Sequence, residues 1–330
     1  MIKKLTKLIR NGLILVTVLS LFSCFVITQP FVQGQPATLP AVNIHHLEQH
    51  VRFLSETVHP RSFMQPDNLN AAADYVLTHF HQYSARTTEQ TFIVDEQPYR
   101  NIIAHFGPAE GQAIIVGAHY DSYSDTPGAD DNASGVAGLL ELARLLYENP
   151  PKQPIELVAY SLEEPPFFRT KNMGSAIHAD SLVDSKQDIQ LMIVLEMIGY
   201  FSEQANSQNY PISLLNVMYP TEGNYIAVVG RFAEISAVRT IKAAMSGATT
   251  LPVYSINAPQ LIEGLDFSDH HNYWSRDFPA VMITDTAFYR NHHYHQLTDT
   301  ADTLDYQKMA NVVQGVYAAL LLLNNPTTIQ

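Results

Sequence analysis

From Ala113 to Leu146 the chain reads AIIVGAHYDSYSDTPGADDNASGVAGLLELARLL, and the expected architecture follows from this run. Ile114, Ile115 and Val116 form a strand-like apolar segment that ends in His119-Tyr120-Asp121. A polar loop with Pro127 and Gly128 leads to Asp130-Asp131-Asn132. Ser134-Gly135 then opens a helix whose Val136, Leu139, Leu140, Ala143 and Leu146 fall on one face. Asn149-Pro150-Pro151 stops that helix. This order brings a histidine and a carboxylate to one edge of a sheet, and in open α/β sheets ligands gather beyond the carboxyl ends of the strands.

Downstream, Ile155 to Ser161 reads as a strand that ends on Glu163-Glu164, and Ile189 to Leu195 as a buried strand that ends on Glu196. Ile226 to Val229 and Ala280 to Thr284 are further strands. Phe232 to Met245 is a helix, and Tyr306 to Leu323 a closing helix with Met309, Val312, Val313, Val316 and Leu320 inward. Upstream, His46 to Val58 and Asn70 to Tyr83 carry helical spacing, while Thr91 to Val94 and Asn101 to Phe106 read as strands. Strands alternating with helices along the whole length predict an α/β fold: a mostly parallel mixed central sheet covered by helices on both faces.

The 330 residues, 46% hydrophobic and 15% charged, suffice for one large core. A formal charge of -13 excludes non-specific nucleic-acid binding, which needs a basic surface to displace counterions. The start of the chain is of different material. Lys3, Lys4, Lys7 and Arg10 precede an apolar run from Gly12 to Thr28, the length of a signal core or a short membrane span. Residues 1–35 are therefore expected to be a signal peptide or N-terminal membrane anchor plus tether, left out of the fold. Residues 36–330 are expected to be the catalytic domain, outside the cytoplasm: periplasmic, extracellular or membrane-anchored. Cys24 is the single cysteine, so that domain has no disulfide and relies on its core and on metal.

His119, Asp131, Glu163, Glu164 and Glu196 each stand at or just after the end of an apolar run, and the segment from Asp269 to Asp302 adds histidines at 270, 271, 292, 293 and 295. Singly these are ordinary loop residues. Together, nitrogen and oxygen donors at one sheet edge suit zinc, and three carboxylates among them suit the charge of two divalent ions. Glu163 and Glu164 are adjacent, so their side chains diverge: one can bind metal while the other faces the attacking water.

The order His119-x-Asp121, Gly128-Ala-Asp-Asp131-Asn-Ala-Ser-Gly135, Glu163-Glu164 with Gly174-Ser175, Glu196-Met-Ile-Gly199, Ser268-Asp-His270 and Tyr294-His295-x-x-x-Asp299-Thr300 resembles the co-catalytic di-zinc aminopeptidases of the leucyl aminopeptidase and glutamate carboxypeptidase group. The likeness runs from about His59 to the last helix. It implies the phosphorylase/hydrolase-like architecture of zinc peptidases and two zinc ions per chain. Asp131 would bridge them, His119 and Glu196 completing one site and Glu164 and His295 the other. It further implies Asp121 as the carboxylate that orients the His119 imidazole, Glu163 as general base, and a cis peptide after Asp131. Tyr294 stands where some members use a tyrosine to hydrogen-bond the developing oxyanion. Asp269 and His270 match a block that lines the site, second choices to His295 as ligands, and His292 and His293 are expected to face solvent.

Two departures from the group are visible. Glu196 stands where aspartate is usual, and Pro165 to Asn172 lengthens the link between the glutamate pair and Gly174, where it is expected to wall the substrate pocket. The resemblance implies an exported zinc exopeptidase that removes amino-terminal residues from peptide substrates. A glutaminyl-cyclase-like acyltransferase with one zinc is the alternative within enzymes, and a metal-free binding pseudoenzyme the alternative outside them.

Overall fold

The computed structural model describes residues 6–7, 9–12, 14, 25–36, 39–84 and 86–324. Eight strands form one sheet: β1 Arg86–Val94, β2 Gln97–Phe106, β3 Ala113–His119, β4 Ile155–Tyr160, β5 Ile189–Glu196, β6 Ile226–Gly230, β7 Val253–Asn257 and β8 Ala280–Thr284. Their spatial order is β1-β2-β4-β3-β5-β8-β6-β7. The central strands β4, β3, β5 and β8 run parallel, as does β7 beside β6, while β1, β2 and the β6–β8 pair are antiparallel. The helices are α1 Ile44–Arg52, α2 Pro66–Tyr83, α3 Gly135–Glu148, α4 Gly174–Ser185, α5 Ile235–Ala248, α6 His270–Trp274 and α7 Tyr306–Leu323.

Alternation along each central strand divides the core. Ile114, Val116, Leu157, Leu191, Ile193, Val281 and Ile283 face one side, packed under α1, α2, α3, α5 and α7. Ile115, Val158, Met192, Val194, Ala227 and Met282 face the other, beneath Ala179 and Leu182 of α4 and Tyr273 and Trp274 of α6. The expected mixed sheet covered on both faces is therefore present, with its parallel part in the centre.

Three elements exceed the sequence reading. β1 and β2 pair along a longer hairpin than expected, hidden in the sequence because the exposed edge strand β1 carries Thr87, Thr88 and Glu89 with no apolar period. Helix α4 is sparse in apolar residues, and β7 is five residues long, with a burial pattern too short to stand out. The boundary drawn at residue 35 also leaves out a segment that packs on the domain. Thr28 and Gln29 are buried, and the Gln35 N–H donates to the Ala243 carbonyl at 3.0 Å. Lys3 and Lys4 of the basic start and most of the apolar run lie outside the described residues.

Candidate metal centre

The carboxyl ends of the parallel strands deliver the polar residues. His119 closes β3, Glu163 and Glu164 follow β4 by a short turn, and Glu196 closes β5. Asp131 comes from the loop between β3 and α3, where Gly128 holds φ +60°. A Cβ at Gly128 would lie 2.4 Å from the Asp131 carbonyl oxygen, so the turn requires glycine. Arg61, fully buried, donates to the carbonyls of Leu54, Tyr120, Pro127 and Gly128 and so pins the β3 end and this loop together. His295 arrives on a late loop with φ +57°, its ring stacked between Tyr123 at 4.0 Å and Tyr294 at 3.8 Å.

Asp131 faces two ways. Its Oδ1 lies 3.3 Å from His119 Nε2 and its Oδ2 3.2 Å from His295 Nε2. Glu196 Oε2 is 3.5 Å from His119 Nε2, and Glu164 Oε2 is 3.2 Å from His295 Nε2. Two groups thus have their donor atoms within 4.8 Å of one another: His119, Asp131 and Glu196, and Asp131, Glu164 and His295. These are the five residues named from the sequence, brought together in the expected pairing. The donor set fits zinc, and the buried His119 Nε2 and Glu164 Oε1 have no hydrogen-bond partner, as expected of atoms aimed at an ion. The Asp131–Asn132 peptide is cis.

His119 Nδ1 faces only oxygens, the Asp121 carbonyl at 3.1 Å and the Asp121 carboxylate at 3.4 Å, so Nδ1 carries a proton and Nε2 is the ring atom left to a metal ion in the cluster. The Asp121 carboxylate does a second thing: it accepts the backbone N–H groups of Glu163 and Glu164, at 3.2 and 3.0 Å, and fixes the turn that splays the pair. Glu163 Oε2 stands 4.0 Å from His119 Nε2.

Without an ion, the buried carboxylates compete for protons. Burial pushes the Glu163 carboxyl well above the usual range, with Glu196 and Glu164 adding to the shift and His119 opposing it. Glu164 is raised to about 8 by burial and by Asp131. Burial works against a charged His295, yet Asp131 and Glu164 hold it at about 10. Burial, reinforced by the surrounding carboxylates, pushes the Tyr294 phenol far up, so it remains a neutral O–H donor.

Several supporting residues had no role in the sequence reading. Asp299 accepts the backbone N–H groups of Asp130 and Asp131 at 2.9 and 3.1 Å. Asn132 accepts from the Met197 N–H and donates to the Leu195 carbonyl, joining the loop to the end of β5. Ser268 donates to Glu196 Oε2 at 2.7 Å. Position in the motif was the only available signal for Ser268 and Asp299. His270 turns away, its Nε2 donating to the Leu265 carbonyl, and is not among the grouped donors. Asp269 is buried and raised to about 7, by burial first, with His119 opposing and Glu196 adding. His292 is exposed, whereas His293 is half-buried and contacts Thr298.

A cavity of about 120 Å³ adjoins the cluster, reaching Glu196 and Tyr294 at one end. Its walls are mainly Tyr210, Tyr219, Tyr225, Tyr254, Ile256 and Phe288. Among the described residues, the charged ones lining it are Glu196 and Glu263, with no lysine, arginine or histidine. The Pro165 to Asn172 segment is not part of this wall. Arg169, stacked on Phe267 nearby, is paired with Asp266.

Comparison with known proteins gives a consistent picture. The model of Peptidase family M28 matches residues 101–320. The protein YfbL of Escherichia coli K12 is 54% identical over 300 residues, covering 88% of this chain and 92% of YfbL. Leucine aminopeptidase 1 of Coccidioides posadasii is 25% identical over 223 residues, 63% of this chain and 52% of that protein, so the match spans about half of the relative's length. Among solved structures, the LapA aminopeptidase of Legionella pneumophila superposes with a TM-score of 0.67 at 21% identity, over 86% of this chain and 71% of that one. The glutaminyl cyclase of Bacteroides thetaiotaomicron does so with a TM-score of 0.66 at 18% identity, over 86% and 99%.

Proposed function

The chain belongs to peptidase family M28 and is a metallopeptidase, and on that premise we propose that it is a zinc-dependent exopeptidase acting at the amino terminus of peptides. The observation that carries this reading is the charge of the cavity at the cluster. A carboxypeptidase must receive a carboxylate and needs a cation to do so, whereas here the lining charges are Glu196 and Glu263 alone. An amino-terminal ammonium suits that surface, and the apolar walls suit the side chain beside it. An engineered apolar cavity of about 150 Å³ admits benzene, so about 120 Å³ accommodates a side chain near the size of one ring or a branched aliphatic group.

In this reading Asp131, His119 and Glu196 would hold one zinc, and Asp131, Glu164 and His295 a second. When bound, zinc supplies polarisation of the scissile carbonyl and a lowered pKa for the attacking water. Glu163 accepts a proton from that water as the oxygen–carbon bond forms, and delivers it to the amine nitrogen as the carbon–nitrogen bond breaks. Tyr294, kept neutral, donates to the carbonyl oxygen as charge develops there. Asp121 keeps Glu163 and Glu164 splayed throughout.

The structural likeness to glutaminyl cyclases favours a second reading, a one-zinc cyclase in which the substrate's own amine attacks. The complete second donor group around His119 supports the peptidase instead. A panel of unblocked amino-acyl anilides, their acetylated forms and amino-terminal glutaminyl peptides separates the readings. Hydrolysis of the unblocked set alone is expected, while cyclisation of glutamine with no hydrolysis would overturn it.

A further inference from the structure

Away from the cluster, the segment leading out of the apolar amino-terminal run is built into the domain by a buried cation. Lys242 of α5 is 6% exposed, and its Nζ donates to the carbonyls of Thr28 and Gln29, each at 3.0 Å. Its hydrogen-bond partners are carbonyls rather than carboxylates, and burial alone depresses it to about 8. Ser255 of β7 donates to the same Thr28 carbonyl at 3.0 Å. The Gln29 amide donates to Asn257 of β7 at 2.7 Å and to the Ile235 carbonyl at the start of α5. At the far end of α5 the segment lies against the helix backbone: a Cβ on Gly34 would sit 2.8 Å from Gly247 N, and one on Gly247 2.1 Å from the Gln35 carbonyl. Residues 28–35 thus run the length of α5 and touch β7 through two of its side chains.

β7 is an edge strand, hydrogen-bonded in the sheet to β6 alone. Ser255 and Asn257 meet the amino-terminal segment, and Tyr254, Ser255 and Ile256 border the cavity beside the metal cluster, so strap and cavity meet across this strand. A strand with one neighbour is held in place by what packs on its faces. We propose that residues 28–35 are a strap that positions β7, with Lys242 as the residue that clamps it, so that the side-chain cavity keeps its shape only while this segment stays attached to the domain. The substrate half of this inference rests on the proposed aminopeptidase reading. It follows that a proteolytic cut that leaves the cavity intact falls before Thr28. Removal of the strap would take both carbonyl acceptors from the Lys242 ammonium and open that face of α5 and β7 to water.

The test uses the full chain with a site-specific protease sequence inserted between Pro40 and Ala41, cut after folding, alone and combined with Lys242→Met or Ser255→Ala. The cut strap is expected to co-elute with the domain and to dissociate when Lys242→Met is added. On its loss, amide hydrogen exchange at residues 253–257 rises, and KM for leucyl and phenylalanyl anilides increases by roughly tenfold while kcat and the alanyl anilide stay within about twofold. Ser255→Ala gives a smaller change in the same direction and serves where Lys242→Met fails to fold. Unchanged exchange in β7 after strap loss, or a uniform fall in kcat for every substrate, overturns the proposal. If no anilide is cleaved at all, the peptidase reading fails, and the exchange and co-elution measurements still decide whether the strap braces β7.

Discussion

The carboxylate of Asp299 accepts the backbone N–H of Asp131 at 3.1 Å, across 168 residues of chain. Its other oxygen accepts the N–H of Asp130 at 2.9 Å, so one side chain from the loop that bears His295 grips the backbone beneath the residue shared by both donor groups. The relative position of Asp131 and His295 therefore depends on Asp299.

Replacing Asp299 by alanine leaves two buried N–H groups without an acceptor, while asparagine keeps one acceptor oxygen. Supporting residues of this kind are worth about 10- to 100-fold in metal affinity. Asp299→Ala is expected to weaken zinc binding over that range, and Asp299→Asn by less, as measured by competition with a chelator. Equal and unchanged affinity in both variants would show that the grip on Asp131 is dispensable.

Glu163 and Glu164 are neighbours with separate surroundings: Glu164 lies 3.2 Å from His295, and Glu163 lies near His119. Glu163→Gln is expected to retain metal and fold while turnover falls by roughly 10²- to 10⁴-fold, the usual scale of general-base loss. Glu164→Gln is expected to lose metal. Elemental analysis beside single-turnover rates distinguishes them, and near-normal turnover in Glu163→Gln would remove it from the mechanism.

The sequence exposed the parts of this centre that obey local rules. His119, Glu163, Glu164 and Glu196 are the polar residues met where apolar strands run out, so the same period that marks β3, β4 and β5 marks them. Asp131 and His295 sit in loops, and only their place in an ordered set of motifs singled them out. Ala280–Thr284 and Tyr306–Leu323 match their expected bounds because each is continuously apolar or strongly periodic. What stayed hidden depends on distant contacts. Arg61 reads only as the close of the helical stretch that ends at Val58, and only the fold shows its guanidinium on four carbonyls. Helix α4 and strand β7 lack a sufficient apolar pattern of their own, and the strap reads as the tail of a leader because Lys242 lies 213 residues from Gln29.

Two histidines outside the centre set a pH dependence of stability. Burial lowers His50, hydrogen-bonded to Tyr75, to about 3, and lowers His178, bonded to Tyr273, to about 4. Below pH 6.5 the unfolded chain takes up these protons and the folded chain does not, so stability is full above the unfolded value and is lost as pH falls toward the folded ones. At 1.36 kcal/mol per unit, each site removes about 2 kcal/mol between pH 6.5 and 5. Urea midpoints at pH 7 and 5 should converge in His50→Leu and His178→Leu relative to the parent, and an unaltered slope in both would mean that these rings are not held neutral.

Glu196 carries the last prediction. Its Oε2 is claimed three times: by Ser268 Oγ at 2.7 Å, by Asn132 Nδ2 at 3.4 Å, and by the space beside His119 Nε2 at 3.5 Å. A glutamate is one methylene longer than the aspartate usual at this position, and two hydrogen-bond donors anchor the oxygen that faces the donor group. Glu164 holds its place differently, against His295, with Oε1 free of any hydrogen bond. An ion between His119 and Glu196 would therefore meet a ligand already engaged, and is expected to leave first when the protein is titrated with a chelator. Glu196→Ala should retain one zinc in the group of Asp131, Glu164 and His295. Two ions held with parent affinity in Glu196→Ala would show that this carboxylate ligates neither.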